Sequence, residues 1–390
     1  MPERLRAGRA VLALTAVAAL ATGCAVGPAA HRAEREGTDR AAATAEPGAA
    51  GGSSGAPGRV PEPSARPSAS PPPAQGSAEI AGTYAGPLGA ACCLAALPHG
   101  EWLVGEEDGS LVHVGQDGTV TPLGSPRRAT RLLGLAVAPD FAGDGDWLYV
   151  FYATGSTATV ERYLYHGSAS AGEQLGTVPD VLLDGIPTGP EHGGGGLAFG
   201  PDGDLYVATG DAGQPALAAD ASSLAGKILR LTPEGGVAPG NPFPDSPVYS
   251  LGHAEPTGLA WDEQGVLWVA DSGRPSGVEL NSIAPGGTYG EGADPQQGTA
   301  PVHTWENPEM LAGGLAYAQG CLWLPDAPNG LLWRIPLNGT QLVADPQQVL
   351  VGDLDWPIAV AGAPAGSASA GNELALLEAV DGTLLRLLID

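Results

Sequence analysis

Basic charge is the scarcest feature of this sequence. Lysine and arginine together number 17 against 43 aspartates and glutamates, giving a formal net charge of −26 over 390 residues. Lys227 is the only lysine. No basic stripe is present to neutralise phosphates, which argues against a nucleic-acid partner. Cysteine is also sparse, with four residues and no CxxC pair or zinc-type spacing, so nothing points to a metal ribbon. Long apolar runs are missing. The clearest, Ala10 to Ala21, is too short to span a bilayer. Beyond residue 78, amphipathic helical periodicity is nearly absent, which argues against an α/β fold.

Glycine (60) and proline (37) are abundant, favouring many short strands with tight turns. Arg4, Arg6 and Arg9 precede the apolar stretch, so residues 1–23 read as a secretory signal. Ala21-Thr22-Gly23-Cys24 resembles a bacterial lipoprotein cleavage box. The Cys24 thiol would then carry lipid and anchor the exported chain to the membrane, facing outside. A plain secretory signal with an incidental cysteine is the alternative. Residues 24–77 are mostly Ala, Gly, Ser, Pro and Arg and cannot bury enough apolar surface to offset their ordering entropy, so they read as a flexible tether. Residues 78–390 suffice for one large all-β domain. Export permits disulfides. Bridges from Cys92 or Cys93 to Cys321, or between the two neighbours, all remain open.

A strand–turn–strand unit recurs six times: Leu94–Leu97 with Trp102–Val104, Leu133–Val137 with Trp147–Val150, and Gly196–Phe199 with Leu205–Val207. Gly258–Trp261 with Leu267–Val269, Gly314–Tyr317 with Leu322–Leu324, and Ile358–Val360 with Leu374–Leu377 complete the series. Each is followed by a further strand. One such unit cannot bury both its faces, but six arranged around an axis can, so the sequence predicts a six-bladed β-propeller. Ile80–Thr83 is expected to pair with the last blade and close the ring. His192, just before an innermost strand, should face the axial mouth. The tryptophans at strand positions read as inter-blade packing, Asn338-Gly339 as a hairpin turn, and Asp140, Asp144 and Asp146 as a solvated turn.

Several ordered stretches carry a family resemblance. They include Leu132-Leu133-Gly134-Leu135-Ala136, His192 with the glycines after it, Gly210-Asp211, and Leu224 to Leu231. They continue through Asn241-Pro242-Phe243, Pro247 to His253, Glu279-Leu280-Asn281 and Pro285 to Gly290. On these the chain resembles the soluble glucose dehydrogenases and aldose sugar (sorbosone) dehydrogenases that use pyrroloquinoline quinone (PQQ). The resemblance implies His192 as general base toward a sugar C1 hydroxyl, oriented by Asp211. It implies a calcium ion against the quinone, held by backbone at Gly273 and Arg274, and a further calcium using Glu279 and the carbonyl of Tyr289. The substrate would be a small-molecule sugar.

The chain also departs from the family pattern. Where the family has Arg-Asn-Pro-Gln after Gly-His, this chain has Ala254-Glu255-Pro256-Thr257. PQQ carries three carboxylates, and an arginine that would grip them is replaced while a glutamate is added. Basic residues expected from the last blades are missing. Arg131, Arg274 and Thr257 remain as cofactor-binding candidates, and the Arg274 cation could instead replace an ion's charge. Two principal readings follow: a PQQ-dependent aldose dehydrogenase, or a non-catalytic propeller that binds a sugar, a cell-surface carbohydrate or a protein at the same mouth. A calcium-dependent lactonase is a third, for which the inward carboxylates and amides cannot be assembled.

Overall fold

The recurring units form six antiparallel sheets, five of four strands and one of five. The computed structural model describes residues 70–275, 277–290, 298–362 and 371–390. These belong to the unit Ser64–Asp390. The expected signal segment, Cys24 and the tether as far as residue 69 lie outside the described residues.

The innermost strands are Ala91–Leu97, Arg131–Val137, Gly194–Phe199, Glu255–Trp261, Ala316–Ala318 and Pro357–Gly362. Each touches the next and the sixth touches the first, so the sheets close into a ring around an axis. The fold is the six-bladed β-propeller that the repeat predicts. Strand Ala78–Ala85 pairs with Leu384–Ile389, Ile80 opposite Leu387 and Thr83 opposite Leu385. The last sheet thus takes one strand from each end of the domain, and closure leaves no long open edge.

Local chemistry explains the turns. In Pro201-Asp202-Gly203 the glycine has φ 82° and its N–H donates to Gly200 O at 3.0 Å, a reversal that a side chain at this φ would strain. Asn338-Gly339 makes the expected hairpin, with Asn338 opposite Gln341. At the aspartate cluster, Gly143 N–H donates to Asp146 Oδ2 at 2.9 Å, which caps the turn. The cores lie between blades. Leu103, Leu132, Leu135 and Val150 join the first to the second, and Leu322, Leu324 and Ile335 join the fifth to the fourth. Trp102, Trp268 and Trp323 are wholly buried in second strands, which makes them packing rather than ligand platforms.

Two features differ from the sequence reading. The fifth sheet gains an extra strand, since Gln341–Leu342 and Gln347–Val349 both pair with Leu331–Asn338. The chain also bonds to the fifth blade ahead of residue 78. Gly76 N–H donates to Gln347 Oε1 at 3.0 Å, Gln347 Nε2 donates to Gly76 O at 2.8 Å, and Arg334 Nη2 donates to Pro73 O at 3.1 Å. These contacts use tether backbone, which composition does not register.

Four of the six inner strands share an irregularity near their starts. Register shifts fall between Ala91 and Cys93, Leu132 and Gly134, Pro256 and Gly258, and Pro357 and Ala359. A bulge gives one strand an extra, unpaired residue and bends it. The extra residues, Cys92, Leu133, Thr257 and Ile358, all line the axial cavity.

Candidate functional site

His192 sits in the left-handed region, φ 53°, where the loop after the second sheet turns into the third. The conformation is held in place: His192 O accepts the Ala212 N–H at 3.2 Å, and a Cβ at Gly210 would lie only 1.8 Å from that oxygen. The imidazole Nδ1 is 2.9 Å from Asp211 Oδ1, which also accepts the Gly213 N–H at 2.8 Å. The Asp211 side chain is 4% exposed and that of His192 24%. A carboxylate acceptor assigns the Nδ1 proton and leaves Nε2 as an acceptor. Nε2 faces Gly273, where an added Cβ would lie 2.9 Å away. Glycine there, at φ 81°, keeps space in front of the nitrogen.

The neighbouring axial cavity measures about 310 Å³ and is walled by the bulged residues together with Arg131, Glu107 and Glu255. Arg131 donates to Gly189 O at 3.0 Å and Pro190 O at 3.2 Å. Gly193 makes room for it, since a Cβ would lie 2.6 Å from Nη2. Burial pushes the Glu255 carboxyl above its ordinary value, and the neighbouring His192 and Arg131 only partly oppose this. Thr257 Oγ1 donates to Ala312 O at 3.1 Å and Gly313 O at 3.0 Å, tying the fourth blade to the fifth.

Arg274 turns away from the cavity. Its Nη2 donates to Gly252 O at 2.5 Å and to Asp271 Oδ2 at 3.3 Å, and its Nε lies 3.2 Å from Glu279 Oε2. The guanidinium packs on Gly290, where a Cβ would be 2.2 Å from Nη1, and the carbonyl of Tyr289 packs on Gly252. Arg274, Glu279 and Tyr289 are therefore brought together, with the arginine supplying the positive charge. Next to them runs a buried chain that sequence reasoning did not single out. Ser250 Oγ lies 2.8 Å from His253 Nε2, and His253 Nδ1 lies 3.2 Å from Asp271 Oδ2. Burial raises the Asp271 carboxyl, but the His253 bond, the Arg274 charge and the Glu255 N–H outweigh it and hold the group below the usual range. All three side chains are wholly buried, so the chain braces the fourth blade and offers no accessible nucleophile.

The comparisons agree with this architecture. The Glucose / Sorbosone dehydrogenase family matches residues 88–318, more than half of the chain. The chain belongs to that family. Quinoprotein glucose dehydrogenase B of Acinetobacter calcoaceticus is 32% identical over 191 residues, covering 41% of this chain and 39% of that protein. Aldose sugar dehydrogenase YliI of Escherichia coli (strain K12) is 30% identical over 170 residues, covering 41% and 45%. The chain thus spans less than half the length of these two relatives. The PQQ-bound form of aldose sugar dehydrogenase from Streptomyces coelicolor superposes with a TM-score of 0.76 at 39% identity, covering 82% of this chain and 100% of that one.

The mouth of this glucose/sorbosone dehydrogenase fold carries little positive charge to meet a tricarboxylate. Arg131 is the one basic residue on the described cavity wall, and Glu107 and Glu255 share that wall. Burying carboxylates without partners costs several kcal/mol each. The residues at Arg274, Glu279 and Tyr289 do not fit calcium, because the guanidinium already bonds the Gly252 carbonyl and pairs with both carboxylates. Among the described residues no group of three or more His, Cys, Asp or Glu converges as a metal site. Glu107 and Cys92 are further cavity residues that the sequence did not single out as site residues. Only their place beside the bulge of the first blade brings them to the axis.

Proposed function

We propose that this chain is an exported sugar-binding propeller, anchored through Cys24, in which His192 and Asp211 receive a sugar hydroxyl and the cavity no longer grips the quinone. Asp211 holds Nδ1–H, so Nε2 accepts the hydroxyl proton in the space that Gly273 keeps open. Arg131, pinned by two carbonyls, orients the loop before His192. The single observation that carries the reading is the charge on the cavity wall, where one arginine stands among glutamates. Substrates with neutral hydroxyls tolerate that wall, whereas a trianion does not.

A second reading, turnover as an aldose dehydrogenase, is favoured by the intact His192–Asp211 pair and by the PQQ-bound state of the Streptomyces coelicolor relative. One experiment separates the two. Aldoses are titrated calorimetrically into the full chain and into His192→Ala, and dye reduction is followed with quinone and calcium present. Saturable aldose binding, lost in His192→Ala and without dye reduction, supports the first reading. Dye reduction abolished by His192→Ala overturns it in favour of the second. The absence of both aldose binding and dye reduction would sink both readings.

A further inference from the structure

Successive side chains on a strand point to opposite faces, so two adjacent cysteines should not meet. Here they do. The register shift between Ala91 and Cys93 places Cys92 at the bulge, and the two Sγ atoms lie 2.9 Å apart. Cys92 Sγ also lies 3.4 Å from Gly105 O, and a Cβ at Gly105 would reach within 2.8 Å of Cys93 Sγ, so glycine makes space for the pair. Both residues line the axial cavity, Cys92 partly exposed and Cys93 buried against the core between the first two blades. Cys321 lies in a different core, between the fifth and sixth blades, and is buried.

We propose that Cys92 and Cys93 form a vicinal dithiol site in the cavity wall, which exchanges with small-molecule disulfides and closes into a Cys92–Cys93 ring. Cys92, the exposed member, attacks one sulfur of the small disulfide as thiolate. The S–S bond breaks, one small thiolate leaves, and a mixed disulfide forms at Cys92. Cys93 then gives up its proton and attacks Cys92 Sγ, expelling the second small thiolate. The two cysteines lose two electrons and the small disulfide gains them. Burial pushes the Cys93 thiol well up, which suits it to the second, intramolecular step rather than to first attack. Consecutive Cα atoms are about 3.8 Å apart, below the usual disulfide span of roughly 4.4–6.8 Å. The ring is therefore strained and reopens with excess thiol.

The test uses the full chain. Native protein is incubated with oxidised glutathione, denatured in an alkylating reagent, digested and weighed. The expected product is a peptide in which Cys92 and Cys93 are unalkylated and two hydrogens lighter, with Cys321 alkylated, and dithiothreitol restores both alkylations. Cys93→Ala should stop at a glutathione adduct on Cys92, and Cys92→Ala should take none. Full alkylation of both wild-type thiols, a persistent adduct on wild-type Cys92, or a bridge to Cys321 would each overturn the proposal. The wild-type result decides even if a variant fails to fold.

Discussion

Arg274 offers the sharpest perturbation, because it places a fixed positive charge among groups that elsewhere in the resemblance call for calcium. Its side chain is 6% exposed, between Asp271 at 0% and Glu279 at 11%. Arg274→Met keeps most of the volume and removes the charge. Removing one partner of a buried ion pair costs about 3–5 kcal/mol, because the other charge stays buried. For a domain of this size that lowers Tm by on the order of 10 °C. The assay is equilibrium urea denaturation with and without calcium, on the wild type, Arg274→Met and Arg274→Ala. The alanine variant opens space at the vacated position. Calcium at about 100 times its Kd would return about 2.7 kcal/mol to that variant. The wild type should show no shift with calcium, since its own cation is in place. If calcium stabilises wild type and Arg274→Ala equally, or if Arg274→Met unfolds at the wild-type midpoint, the reasoning fails.

Three further outcomes are expected. Gly273→Ala places a Cβ 2.9 Å from His192 Nε2 at φ 81°; it should abolish aldose binding in calorimetry while costing only about 1–2 kcal/mol of stability by denaturation. Glu255 has a raised folded-state pKa, so its contribution to stability is present at low pH and is lost as pH rises through the ordinary carboxylate value and then the folded one. Glu255→Gln should therefore raise the urea midpoint at pH 7 more than it does in acid, and an equal shift at both pH values would count against the burial argument. Ala254→Arg combined with Glu255→Asn makes the mouth two charges more positive. Quinone affinity in a fluorescence titration should then rise at least about tenfold, or 1.4 kcal/mol, and no change would mean that the cofactor pocket lies elsewhere.

The blades were legible because their signals are local. An apolar strand, a Pro-Asp-Gly or similar turn and an aromatic strand recur, and Ile80–Thr83 stood ahead of the first unit as a segment left over to close the ring. His192 and Asp211 were legible because they flank one short hairpin, so that their meeting follows from its register. What the sequence hid depends on direction. Nothing in Ser272-Gly273-Arg274 tells whether the guanidinium faces the axis or turns toward Glu279. The Cys92–Cys93 contact contradicts strand alternation and exists only because of a bulge. Docking of Pro73 and Gly76 rests on backbone hydrogen bonds to Gln347 and Arg334, distant in sequence. Glu255 was legible as a pocket residue, because it stands in the run Ala254 to Thr257 where the resemblance puts the cofactor's grip, and it does line the cavity.

The central claim is that the axial cavity has lost its hold on the tricarboxylate quinone while keeping His192 presented to a hydroxyl. Calorimetric titration of PQQ into the full wild-type chain, with calcium present, tests it most directly. The account predicts no saturation up to about 1 mM, equivalent to less than about 4 kcal/mol of binding. Saturation at or below about 1 μM, near 8 kcal/mol, would contradict it.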